Sequence, residues 1–144
     1  MLKNLPDKWV RKAIFSAINN IVVDGNIIEC FDYRVSGNSQ PNFYTLISTQ
    51  TNQVNKANKC EYAWNSSVLV EVFTRYNGTA NPGDRLLADN ILDKVKTQTN
   101  NLSLDATSDL TIVSQTQAFP NDLVSITDTE NVFRKFMRIE LYIN

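Results

Sequence analysis

Asp89 and Asp93 sit four residues apart in a stretch with helical periodicity. Two carboxylates at that spacing share one helix face and could hold a divalent cation. Arg85 and Lys96 flank them, so a solvated face of mixed charge is the simpler reading. Asp105, Asp109, Asp122, Asp128 and Glu130 are loop acids without EF-hand spacing. Histidine is absent, which removes the commonest general acid/base and the commonest metal ligand. Ser16, Ser48, Ser66 and Ser125 therefore have no imidazole partner, and none lies in a GxSxG or SxxK frame. Gly25, Gly37, Gly78 and Gly83 are too scattered to cradle a phosphate. Cys30 and Cys60 cannot complete a zinc site without further ligands, and CxxC is missing. A disulfide between them stays open, although a chain with no signal-like segment favours two buried thiols. Catalysis is not expected, nor is any cofactor or metal.

Nucleic acid is the next chemistry to weigh. Lys8, Arg11 and Lys12 cluster near the start, Arg134, Lys135 and Arg138 near the end, and Tyr33, Phe43 and Tyr44 could stack on bases. The net charge of −1 gives no field that would gather phosphates, and an ordinary mixed surface explains the same residues. A small monomeric module for single-stranded nucleic acid is kept as the alternative function.

The elements that would position these residues follow from periodicity. At 144 residues the chain suits one domain, residues 1–144. Neutral polar residues are abundant, with 18 Asn, 12 Thr, 10 Ser and 6 Gln, yet a 42% hydrophobic share is too high for disorder. No run is long and apolar enough for a membrane span, so no membrane partner is expected. A helix is predicted from about Pro6 to Asn20, with Val10, Ile14, Ala17, Ile18 and Ile21 forming its stripe. Strands are predicted at Ile27–Arg34, Asn42–Gln50 and Cys60–Tyr76, the last bending near Asn65–Ser66. Within it, Val68, Val70, Val72 and Thr74 alternate strictly with Leu69, Glu71, Phe73 and Arg75.

A second helix starts at Asn81-Pro82-Gly83-Asp84 and buries Ala88, Ile91, Leu92 and Val95. Further strands are predicted at Leu110–Phe119, Leu123–Thr127 and Asn131 to the end. The order is α-β-β-β-α-β-β-β, an α+β fold with two helices on a mostly antiparallel sheet. One stretch resists assignment. Thr49, Gln50, Thr51, Asn52, Gln53, Val54, Asn55, Lys56, Ala57, Asn58 and Lys59 are almost wholly polar and lack glycine and proline. They form either a long hairpin arm that reaches a neighbouring subunit or a mobile loop.

The leading helix, the strand unit with Phe43-Tyr44, the strand Val68–Arg75 and the helix and three strands after it resemble one family. It is that of the tail-terminator and tail-completion proteins of tailed bacteriophages, also called minor capsid or head–tail joining proteins. The resemblance covers most of the chain in element order. It implies that the stretch Val68–Arg75 is the central strand and Leu86–Val95 the helix across it. It further implies a structural virion protein in the tail or neck, assembled in the host bacterial cytoplasm. Copies would close into a ring, sixfold or twelvefold, that ends tail growth and meets connector, portal-side or tail-tube proteins. Genomic DNA would pass through the lumen without specific binding. Thr49–Lys59 is then the candidate subunit interface.

Overall fold

The computed structural model describes residues 5–32, 41–58, 61–76, 84–127 and 129–144, with backbone alone at 55–58 and 61–62. Val68, Val70, Val72 and Thr74 are fully buried along one face of their strand, as period 2 requires. The elements around them are α1 (Asp7–Ile18), β1 (Ile21–Val23), β2 (Asn26–Ile28), β3 (Cys30–Phe31), β4 (Phe43–Asn58) and β5 (Glu61–Tyr76). Then come α2 (Arg85–Gln98), a 3-10 turn (Ala106–Ser108), β6 (Ile112–Ala118), β7 (Leu123–Ile126) and β8 (Asn131–Ile143). The class is α+β as expected, with eight strands among the described residues where six were predicted.

The extra strands are short ones. Asp24 (φ 51°) and Gly25 (φ 80°) take the left-handed conformation that closes a two-residue hairpin, so Ile21–Val23 pairs with Asn26–Ile28. Ile21 thus leaves the helical stripe and joins a strand. Cys30–Phe31 then lies parallel to Thr45–Leu46 of β4. The main sheet has the order β3-β4-β5-β8-β6, and β7 pairs with the start of β8, in line with β6. Apart from β3 every pairing is antiparallel, so β4, β5, β8 and β6 alternate in direction.

Both helices pack on one face of this sheet. Val10, Ile14 and Ile18 of α1, Leu87, Ile91 and Val95 of α2, and Met137, Ile139, Leu141 and Ile143 of β8 share one core with β5. Each such side chain contributes roughly 1.5–3 kcal/mol by leaving water, so this core dominates stability. The helix-free face holds a smaller cluster. Tyr44 stacks on Phe73 at 4.7 Å between ring centroids, and Phe31 meets Tyr44 edge-on at 5.6 Å.

Two local expectations change. β5 runs without a register shift past Asn65–Ser66. The irregularities lie in β4, between Ile47 and Gln50 and between Asn55 and Asn58, where extra residues bend the edge strand instead. Helix α2 is capped by Asp84, whose carboxylate accepts a 2.9 Å hydrogen bond from the Leu87 amide. The Asn81-Pro82-Gly83 start lies outside the described residues.

Candidate assembly site

The polar segment is a strand through Asn58, not a loop. β4 pairs with β5 from Phe43↔Thr74 to Asn58↔Glu61. β8 follows β5 only as far as Trp64↔Ile143. Thr49 to Val54 therefore lie within the sheet, and Asn55–Asn58 with Glu61–Ala63 project past it as the hairpin tip. Lys59 falls outside the described residues. The side chains of Thr49, Thr51, Gln53 and Val54 are exposed, and Asn52 is half-buried. Gln50 is engaged within its own subunit: its amide donates to the Asp7 carbonyl at 3.0 Å and its oxygen accepts from Arg11 at 2.9 Å. It fastens β4 to α1.

The far edge is held the same way. Gln117 donates to the Lys96 carbonyl at 3.2 Å and to the Thr99 hydroxyl at 3.1 Å. Gln115 donates to the Thr99 carbonyl and accepts from the Leu102 amide at 3.3 Å. The last turn of a helix leaves carbonyls without partners, and these two β6 amides serve α2 there. Nothing in the local sequence signals such tethers, because their partners lie on distant elements.

Among the described residues, no strand pairs with the outer side of β6 or β7, nor with the outer side of β4 beyond Leu46. Proteins usually guard such edges with lysine, proline or a covering element. Here Phe43–Val54 of β4, all of β6 and all of β7 carry no charged residue. Lys56, near the hairpin tip, is the single charge on these strands, and Pro120 interrupts the edge between β6 and β7. The other charges of the sheet stand on β5 and β8, which are interior strands from Trp64 onward.

On the helix-free face, Thr51, Ser67, Glu140 and Thr116 line up across the four strands, as do Gln53, Asn65, Tyr142 and Ser114. They border a shallow polar depression of about 630 Å³. Towards the other end of the same face, Arg134 meets Glu71 at 3.2 Å and Arg75 meets Glu130 at 2.9 Å. Both guanidinium groups also lie over the Phe73 ring. Burial pushes the Glu71 carboxyl above its ordinary pKa, against the opposing pull of Arg134.

The candidate chemistry is largely committed elsewhere. Asp89 pairs with Lys135 at 2.7 Å, and the same ammonium holds Asp122 at 2.7 Å, joining α2 and the β6–β7 connection to β8. Among the described residues no three acids or thiols come together as a metal site. Arg11 and Lys12 face Asp32 at 3.5 Å and Asp105 at 3.0 Å. Tyr44 is buried against Phe73 and cannot offer its ring to a base, Phe43 packs on the core, and Tyr33 is outside the described residues. Cys30 is a free, buried thiol whose pKa burial pushes up to about 11, so it is unreactive at neutral pH. Cys60 is outside the described residues.

No protein-family profile and no curated protein sequence matches this chain. The fold is similar to a chain from the virion of a native gene transfer agent particle. That likeness has a TM-score of 0.60 at 12% identity and covers 94% of this chain and 96% of the other. The two chains therefore share an architecture over nearly their whole lengths.

Proposed function

We propose that the chain is a structural, non-enzymatic subunit of a phage-like virion. It forms a ring at the head–tail junction or the head-proximal end of the tail, ending tail assembly and joining tail to connector. One observation carries this reading: among the described residues both sheet edges are open and, Lys56 near the hairpin tip apart, uncharged, and they run in opposite directions. Ring closure needs two different, complementary patches on each subunit. Because β4 and β6 are antiparallel, a rotated copy can set its β4 beside β6 and continue the antiparallel sheet across the seam. Thr49–Lys59 supplies one patch, through the exposed edge of β4 and the hairpin tip. The full-length likeness to a chain of a virion particle supports the setting. A near-neutral subunit also suits a lumen through which DNA must slide without being held.

Negative-stain images and light scattering of the purified protein test this. Closed rings of many 16.3 kDa subunits are expected. Thr51→Lys combined with Gln53→Lys adds charge to exposed edge positions and should leave a folded monomer. A mass of one subunit at every concentration, with and without purified tails, would sink the reading.

A further inference from the structure

We infer that the helix-free face of the sheet lines the lumen of the ring and faces the passing duplex DNA, with both helices on the outer wall. This rests on the ring reading above. When β4 of one copy continues the sheet beside β6 of the next, the sheets close into one cylinder. Each copy adds β4, β5, β8 and β6 to the circumference, an arc of about 19 Å at roughly 4.8 Å per strand. The helices lie side by side across that arc, α1 against β3 and β4, α2 against β5 and β8. Two helices of about 10 Å diameter need roughly 20 Å, which the arc of the sheet just matches.

Closure upsets that match in one direction only. A helix layer about 10 Å inside the sheet loses about 10 Å of arc per copy in a sixfold ring and about 5 Å in a twelvefold one. Neighbouring helices would then overlap. Placed outside the sheet, the same layer gains that arc and fits. The chemistry of the helix-free face suits the inner wall. On it Arg75, Arg134 and Arg138 stand against Glu71, Glu140 and the Glu130 that pairs with Arg75, so its charges balance. Glu71 holds Arg134, and Arg138 donates to the Ser67 hydroxyl at 3.0 Å. Towards the hairpin the wall continues with neutral Asn65, Ser114, Thr116 and Tyr142. Phosphates bind by exchanging their counterions for protein cations, and guanidinium groups already partnered offer little for that exchange. The duplex therefore meets a polar wall that does not grip it.

The test images gold-labelled rings of the full chain. In a Cys60→Ala background, which keeps the buried Cys30, Glu140→Cys and Asn65→Cys place thiols at exposed positions of the helix-free face. Asp93→Cys places one at an exposed position of α2. Each variant, checked for folding by circular dichroism, is assembled, reacted with a small maleimide-gold cluster and viewed end-on in negative stain. Gold is expected inside the protein wall for both helix-free positions and outside it for Asp93→Cys, at radii about 20 Å apart. Gold inside for Asp93→Cys and outside for the other two overturns the orientation and leaves the ring standing. Gold at one radius for all three does the same. A wild type that never forms rings overturns the ring reading and the orientation with it.

Discussion

β8, and β5 from Trp64 onward, lie inside the sheet, yet they carry Glu71, Arg75, Arg134, Lys135, Arg138 and Glu140. β4, β6 and β7 form the edges and share one charge, Lys56. A monomer that only had to stay soluble would invert this, charging its edges and keeping its centre neutral. The centre tolerates charge because it sits on the helix-free face or is paired, as Glu71 and Lys135 are. An edge meant to dock keeps charge away, since stripping water from an unpaired charge costs more than a seam returns. In the proposed ring the two regions would divide the labour: the centre holds the fold, and the edges meet neighbouring copies.

That division is most sharply tested at the centre. Ile139→Ala empties a fully buried site on β8 and should lower unfolding free energy by about 2–5 kcal/mol in urea melts. Thr116→Lys on the exposed face of β6 should change the same quantity by no more than about 0.5 kcal/mol. It should instead weaken ring formation about tenfold or more, equivalent to roughly 1.4 kcal/mol of association free energy. If Thr116→Lys unfolds the chain, or leaves assembly intact, the edges and the centre are not separate in role.

The same contrast decides what was legible in the sequence. Val68 to Arg75 announced itself because β-branched residues recur at every second position, Val68, Val70, Val72 and Thr74, and all four are buried on one face. Thr49 to Asn58 is equally a strand, but both of its faces are polar, and period 2 leaves no trace in a run of Thr, Asn and Gln. β1 and β3 are too short to show any period. Gln50, Gln115 and Gln117 were unreadable for another reason: their partners are helix ends on other elements, placed only by the folded sheet.

Those glutamines give the next test, of intermediate size. Gln117→Ala removes two hydrogen bonds to the end of α2 and leaves the Lys96 carbonyl to find water. A loss of about 0.5–1.5 kcal/mol is expected, with hydrogen exchange rising first in the last turn of α2. If protection there is unchanged, the tether adds nothing, and β6 is held by its pairing with β8 alone.

The smallest effect concerns the charge most deeply set in the centre. Burial raises the Glu71 pKa and Arg134 opposes it, with burial the stronger influence. A carboxyl whose pKa is raised on folding binds more protons folded than unfolded at pH values between its unfolded and folded pKa. Its stabilising contribution is therefore complete below the ordinary value of 4.5 and is lost as pH rises through the raised one. Glu71→Gln keeps the shape and abolishes the titration. Its stability relative to wild type should improve as pH rises from the ordinary carboxyl value of 4.5 through the raised one, and then level off. The opposite trend, with wild type gaining over Glu71→Gln as pH rises, would mean that Arg134 outweighs burial. The centre would then hold its charges because pairing favours them, rather than tolerating them.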